Sequence, residues 1–181
     1  MVQAGNPLGA DRPGGGAAGT RSLRAAGPGR PRRLIATHTT KGKHMAHHTR
    51  IKVRGYHLDL FGHVNNARYL EFLEEARWNC FEDSGTLAQF LQSGLGLAVV
   101  NINIDYARPA TMGEMLLIET AVKSIGNRSA VIHQRVLLDG TDILVAQADV
   151  TFVVFDTRAG KAVVLEGPLK DALELIQAQS A

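Results

Sequence analysis

One long amphipathic helix, followed by four strand-like segments, is the feature of this sequence that most limits its fold. Residues 66 to 84 place apolar side chains at helical spacing, namely Tyr69, Phe72, Leu73, Ala76, Cys80 and Phe81. Asn65 can accept from the free amides of the first turn, and Gly85 can adopt the left-handed conformation that ends a helix. The sequence therefore predicts one helix with a single apolar stripe.

The other segments are rich in Val, Ile and Thr, which is typical of strands. The predicted strands cover residues 49–56 before the helix and 97–107, 114–125, 128–138 and 143–155 after it. A short helical segment is predicted at 86–94 and a closing helix at 168–177.

Short connections join the four later strands, and Asp139-Gly140 is a strong hairpin signal. Sequential hairpins predict an antiparallel sheet. The helix can bury its stripe only against the concave face of that sheet, so the fold class is α+β in two layers. At least one strand edge stays exposed, and pairing such edges across a two-fold axis predicts a homodimer or homotetramer.

The first 47 residues differ from the rest in composition. Residues 1–44 are crowded with Gly, Ala, Pro and Arg and carry eight Lys or Arg against one acid, so they cannot bury enough apolar surface to fold. We expect a disordered basic tail over 1–47 and one domain over 48–181. Three interpretations of the tail stay open: an extension upstream of a translation start at Met45, a transit peptide, or a basic arm for RNA or acidic lipid.

The charge of the whole chain, +3, reflects that tail. Residues 45–181 contain 12 basic and 16 acidic residues, so the folded part is mildly acidic. No apolar run approaches the ~18 residues of a membrane span. We therefore expect a cytoplasmic protein with no nucleic acid and no membrane among its partners.

The polar segment between the first strand and the long helix carries the candidate chemistry. It contains a carboxylate, Asp59, and a helix start around Asn66, where free N–H groups and the positive end of the helix dipole point outward. A carbonyl placed at that start would meet preorganised donors as its oxygen becomes negative. Asp59 could then activate a water molecule or attack the carbonyl itself.

The string Asp-x-x-Gly-His-Val-Asn-Asn-x-x-Tyr, from Asp59 to Tyr69, resembles the signature of the 4-hydroxybenzoyl-CoA thioesterase and acyl-CoA thioesterase branch of the hotdog superfamily. The resemblance covers roughly residues 48–158 and implies a long central helix wrapped by a curved antiparallel sheet. It implies hydrolysis of an acyl-CoA or acyl-carrier-protein thioester, with Asp59 as the catalytic carboxylate and the Asn66 amide polarising the carbonyl.

Further candidates follow from the same resemblance. The His-Val-Asn-Asn variant is similar to acyl-carrier-protein thioesterases, which implies that His63 and Asn65 orient water or the carbonyl. Another branch of the superfamily has its carboxylate on the helix, where Glu74 stands, so Glu74 is the substitute if Asp59 is not catalytic. The candidate substrate-binding residues are Tyr69, Phe61 and Arg128, the last by alignment with a basic cluster that contacts the coenzyme A nucleotide in some members.

Two other functions stay open beside thioester hydrolysis. A hotdog dehydratase or hydratase would pair a His with a carboxylate, and the Asn65-Asn66 pair fits hydrolysis better. A hotdog acyl-ligand sensor without turnover would normally append a folded DNA-binding module, which residues 1–44 do not suggest. None of these chemistries requires a metal or an organic cofactor, so we expect neither.

Overall fold

The computed structural model describes residues 46–180. The tail predictions for residues 1–45, including the Met45 start, the transit peptide and the basic arm, lie outside these residues. In chain order the elements are β1 (His47–Lys52), a 3-10 turn (Gly55–His57), α1 (Asn66–Asp83), α2 (Thr86–Ser93), β2 (Leu95–Tyr106), β3 (Met115–Ile125), β4 (Ser129–Leu138), β5 (Leu144–Asp156), β6 (Lys161–Ala162) and α3 (Gly167–Ser180). Between residues 46 and 180, no helix is both long and apolar enough to cross a membrane.

Each predicted helix and long strand is confirmed, with ends moved by at most three residues after the first strand. The first strand begins two residues earlier than predicted, at His47, which was assigned to the tail. It also ends four residues earlier, because the chain leaves the sheet after Lys52 and turns at Gly55–His57. Strand β6, only two residues long, was not predicted.

The strands form one antiparallel sheet in the order β1-β3-β4-β5-β2, with β6 beside the end of β5. The turns between β3 and β4 and between β4 and β5 are hairpins, as predicted. Gly140 in the second of them has a φ of 76°, which glycine adopts without strain.

The connection between β2 and β3 corrects the predicted pairing. Sequential hairpins would place β3 beside β2, but β2 pairs with β5, and β3 lies between β1 and β4. The hairpins hold β3, β4 and β5 together, and β1 occupies the outer side of β3. Strand β2 therefore cannot lie beside β3 and pairs with the free side of β5. Residues 107–114, here called the crossover segment, therefore run past the start of α1. There the Val64 N–H donates to the Ala110 carbonyl over 2.8 Å.

The apolar stripe of α1 packs against the concave face of this sheet, as predicted. All six residues of the stripe are buried. In the first half of α1, Tyr69, Phe72 and Leu73 pack with inward-facing side chains such as Ile118 and Val150. The second half packs in a separate cluster with α2 and α3. The architecture is the α+β arrangement that the hotdog resemblance implied.

A buried glutamine joins α1 to the sheet. Gln134 on β4 is fully buried, and its Nε2 donates to the Leu73 carbonyl over 2.9 Å and to the Thr120 hydroxyl over 3.0 Å. Its Oε1 accepts from Nη1 of Arg77 over 2.9 Å. Burial lowers the pKa of Arg77, and nearby Glu74 opposes that effect. One amide thus satisfies three polar groups between helix and sheet.

Candidate active site

The loop between the 3-10 turn and α1 is a small hairpin that presents Asp59. Leu58 and Val64 form an antiparallel bridge, and the Asp59 N–H donates to the His63 carbonyl over 2.8 Å. The Gly62 N–H returns to the Asp59 carbonyl over 3.1 Å, with Gly62 at a φ of 77°. The glycine of the motif is therefore needed for a tight turn in which φ is positive.

The Asp59 carboxylate is held on one side and open on the other. Its Oδ1 accepts from the N–H groups of Phe61, over 2.8 Å, and of His63, over 3.2 Å. Among residues 46–180, no group donates to Oδ2. The side chain is half-buried. Asp59 thus closes its own turn with one oxygen and leaves the other available for chemistry.

The start of α1 leaves one amide without an acceptor. Asn65 caps the helix, because its Oδ1 accepts from the Ala67 N–H over 3.0 Å and its carbonyl accepts from the Arg68 N–H over 2.9 Å. The Asn66 N–H has no acceptor within the described part of the chain. It therefore remains a free donor at the positive end of the helix dipole.

Asp59 and Asn66 line the same cavity, which has a volume of about 350 Å³. The other walls are His63, Tyr69 and Tyr106, together with residues 107–109 of the crossover segment. The Tyr106 hydroxyl donates to the Asn66 carbonyl over 3.1 Å, and the Tyr69 hydroxyl accepts from the Ala110 N–H over 3.2 Å. The two tyrosines therefore fix the helix start and the crossover segment relative to each other.

An ion pair holds the crossover segment in shape. Nη2 of Arg108 lies 2.5 Å from Oε1 of Glu114, and the Thr111 N–H donates to the same carboxylate over 2.9 Å. The hydrogen bond from Arg108 lowers the pKa of Glu114, so the pair stays ionised at neutral pH. Arg108 also places positive charge in the cavity wall.

The structure brings only some of the predicted site residues together. His63 and Tyr69 lie in the cavity wall with Asp59 and Asn66, whereas Asn65 does not line it and serves as the helix cap. Phe61 is 81% exposed and also lies outside the lining.

Arg128 and Glu74 are placed elsewhere. Arg128 lies in the turn after β3, at the far end of a strand whose 11 residues span about 35 Å. Glu74 lines a second cavity, of about 100 Å³, that is otherwise formed by apolar groups and Arg77. Its other lining residues include Trp78 and Phe81 from α1 and Leu97 and Val99 from β2. Both cavities therefore lie between α1 and β2, and Glu74 is not in the same cavity as Asp59.

Cys80, the single cysteine, does not offer a nucleophile. Burial raises the pKa of its thiol to about 11, and nearby Asp83 adds to the effect. A thiol is a weak nucleophile compared with the thiolate, so Cys80 is inert at neutral pH. Its side chain packs in the core with Phe81.

Tyr106 and most of the crossover segment were missed as site residues, and Arg108 was only a weak candidate for contacting the coenzyme A nucleotide. Both reach the cavity only because β2 joins the sheet beside β5, which directs the following residues past the helix start. The aromatic residue at the end of a predicted strand and the Arg-Pro step after it were the only local signals.

Comparisons with known proteins identify the family. The model of the thioesterase-like superfamily matches residues 53–173. The long-chain acyl-CoA thioesterase FadM of Escherichia coli is 46% identical over 126 residues, which cover 70% of this chain and 96% of that protein. The acyl-CoA thioesterase YbgC of Haemophilus influenzae is 28% identical over 116 residues, or 63% of this chain and 84% of that one.

Solved structures agree with the sequence comparison. The crystal structure of YbaW, a probable thioesterase from Escherichia coli, matches with a TM-score of 0.68 and 45% identity, and the match covers 74% of this chain and 98% of that one. This match confirms the predicted hotdog fold, and the relatives confirm the predicted thioester hydrolysis. The chain belongs to the thioesterase-like superfamily and is a hotdog-fold thioester hydrolase.

Proposed function

We propose that this enzyme hydrolyses long-chain acyl-CoA thioesters in the cavity between Asp59 and the start of α1. One observation supports the proposal most. Oδ2 of Asp59 and the N–H of Asn66 both lack a partner among residues 46–180, and both residues line one cavity. A carboxylate and a free helix-terminal amide are the two groups that addition to a thioester carbonyl needs. FadM, the relative with 46% identity, is named for long-chain acyl-CoA.

Two routes use the same carboxylate. In the first, Oδ2 takes a proton from water while the water oxygen bonds to the carbonyl carbon. The C–S bond then breaks, and the thiolate takes the proton back from Asp59. In the second, Oδ2 itself bonds to the carbonyl carbon and expels the thiolate, and water then cleaves the mixed anhydride. The Asn66 N–H stabilises the oxyanion in both, and rapid quenching followed by mass spectrometry separates them, because only the second leaves an acyl group on Asp59.

The distal part of the acyl chain occupies the second cavity in this proposal. The two cavities contact α1 about ten residues apart, which corresponds to roughly 15 Å along the helix axis. Trp78, Phe81 and Leu97 give the second cavity apolar walls. In this proposal an extended chain whose carbonyl lies at Asn66 runs between α1 and β2 to reach the second cavity.

A substitution that fills the second cavity should change chain-length preference. Val99→Phe places a larger side chain in the cavity wall, so a long acyl chain loses the burial of about three methylene groups. Each buried methylene contributes ~0.8 kcal/mol, so kcat/KM for hexadecanoyl-CoA should fall about 50-fold. The kcat/KM for hexanoyl-CoA should change little. Release of free thiol across an acyl-CoA panel measures both.

Val131→Phe is the matched control, because Val131 lies on β4 at an outward-facing position. Its profile should follow that of the wild type. An equal loss for all chain lengths in Val99→Phe would remove the second cavity from the proposal.

We also propose that two copies pair through β2. This strand is 12 residues long and has no strand partner on its outer side within the described residues. It exposes apolar side chains, with Val99 48% and Val100 58% exposed. An unpaired edge of this length is a template for a second strand, and antiparallel pairing about a two-fold axis satisfies both copies.

Light scattering should give the mass of two or four chains. Val100→Asp should lower the mass to that of one chain, because the edge would carry a buried charge. Leu175→Asp is the control, since Leu175 on α3 is 56% exposed and distant in sequence from β2. A wild-type mass of one chain would rule out the pairing.

A further inference from the structure

The catalytic scheme leaves one buried titratable group beside the Asp59 loop without a role. His57 is only 8% exposed. Its ring lies edge-on between Tyr56, with centroids 4.3 Å apart, and Phe72, with centroids 4.8 Å apart. It stands two residues before Asp59, at the point where the 3-10 turn passes into the loop.

The hydrogen bonds of His57 reach both sides of the loop. On the upstream side, the Arg54 N–H donates to Nδ1 of the ring over 3.0 Å, and the His57 N–H donates to the Arg54 carbonyl over 3.0 Å. On the downstream side, the His57 carbonyl accepts from the Asn65 N–H over 2.9 Å. His57 therefore connects Arg54, which follows β1, to Asn65, the cap residue of α1. The hairpin that carries Asp59 lies between these two hydrogen-bonded positions.

The bond from Arg54 also defines the charge of the ring. Because Nδ1 accepts from a backbone N–H, it carries no proton, and the proton of the neutral ring is on Nε2. Protonation of Nδ1 would turn it into a donor that faces the Arg54 N–H, so this hydrogen bond would be lost. The bond is compatible only with the neutral ring.

We propose that neutral His57 is a positioning residue that fixes the Asp59 carboxylate relative to the Asn66 amide. The inference rests on the proposed roles of Asp59 and Asn66. Misplacing a catalytic group by about 1 Å can cost about 100-fold in rate, so a loop anchor matters to kcat even though it touches no substrate. In the proposed function the acyl chain binds in the second cavity, which His57 does not line, so KM should change little.

The charges around the ring favour its neutral form. Burial is the main cause that lowers the pKa of His57, and Arg68 and Arg54 lower it further while Glu71 opposes them. The other titratable side chains that line the groove around His57, between β1 and α1, are Arg50, Lys52, Tyr56, Glu71 and Glu75. The pKa of His57 is therefore lower in the folded chain than in the unfolded chain, where it is near 6.5. The free energy of unfolding should be highest above pH 6.5 and should fall as the pH drops towards the lower folded pKa. In the folded enzyme the ring takes up its proton only around that lower pKa, so the anchor and kcat should be lost there.

Two variants of similar size test the role. His57→Asn places an oxygen at the δ position, where it can accept from the Arg54 N–H at every pH, whereas His57→Leu cannot accept. We expect kcat to fall about 100-fold in His57→Leu and less than about 5-fold in His57→Asn, with KM within about 3-fold in both. The acid-side inflection of kcat, which lies below pH 6.5 in the wild type, should move to lower pH in His57→Asn, because the anchor no longer depends on protonation while the carboxylate base must still be ionised. His133→Asn, on the convex face of β4, should keep the wild-type profile.

Asp59→Asn, assayed in parallel with hexadecanoyl-CoA, separates this inference from the proposed function. If Asp59→Asn is inactive but both His57 variants lose kcat equally, or His57→Asn keeps the wild-type acid inflection, the positioning role is wrong and the catalytic assignment stands. If Asp59→Asn remains active, both the catalytic role of Asp59 and the positioning role of His57 are wrong. Should His57→Leu fail to fold, the pH profile of His57→Asn decides alone.

Discussion

Replacing Asp59 with Asn is expected to lower kcat for acyl-CoA hydrolysis about 1,000-fold, within the range typical for loss of a general base. The amide can still accept from the Phe61 and His63 N–H groups, so the turn should keep its shape. What it lacks is an oxygen that can take a proton or attack the carbonyl. Thiol release under saturating substrate measures the loss directly.

Glu74→Gln is the matched control, because it makes the same chemical change in the second cavity. We expect kcat within about 3-fold of wild type for Glu74→Gln, since no step of the proposed reaction uses this carboxylate. Thermal unfolding should show that both variants are folded. Loss of activity in Glu74→Gln alone would move the catalytic carboxylate to the helix.

The second large effect concerns stability. Gln134→Leu should lower the free energy of unfolding by about 3 kcal/mol, because it leaves the Arg77 guanidinium and the Thr120 hydroxyl without a partner in the core. Leu has nearly the volume of Gln, so packing alone should not produce the loss. Urea unfolding measures the change in free energy.

Two further variants locate the cause of that loss. Gln147→Leu, on the neighbouring strand but facing outward, should cost less than about 0.5 kcal/mol. Adding Arg77→Met to Gln134→Leu should restore more than about 1 kcal/mol, because an apolar side chain then replaces the unpaired charge. If the double variant loses the sum of the two single losses, the network has no energetic role.

Local signals in the sequence were enough for the elements and for the helix start beside the candidate site. The six apolar positions of the long helix, its Asn65 cap and the Asp139-Gly140 hairpin depend on neighbours within a few residues. The turn that presents the Asp59 carboxylate is local in the same way, because it closes on itself within residues 59–63.

The strand order and the rest of the cavity wall could not be predicted, because they depend on contacts between residues that are distant in the sequence. Strand β2 lies beside β5 while β1 occupies the outer side of β3, and no local pattern encodes that arrangement. Tyr106 and Arg108 enter the site only through this placement, and Glu74 proves to face a different cavity although it lies two helical turns from Asn66. The role of His57 likewise depends on a ring nitrogen that accepts from a neighbouring amide.

A crystal structure with a ketone analogue of hexadecanoyl-CoA, in which a methylene separates sulfur from carbonyl, tests the catalytic geometry most directly. We predict the carbonyl oxygen about 3 Å from the Asn66 nitrogen, with Oδ2 of Asp59 or a water bound to it facing the carbonyl carbon. A carbonyl held away from the start of α1, for example beside Glu74 in the second cavity, would contradict the assignment.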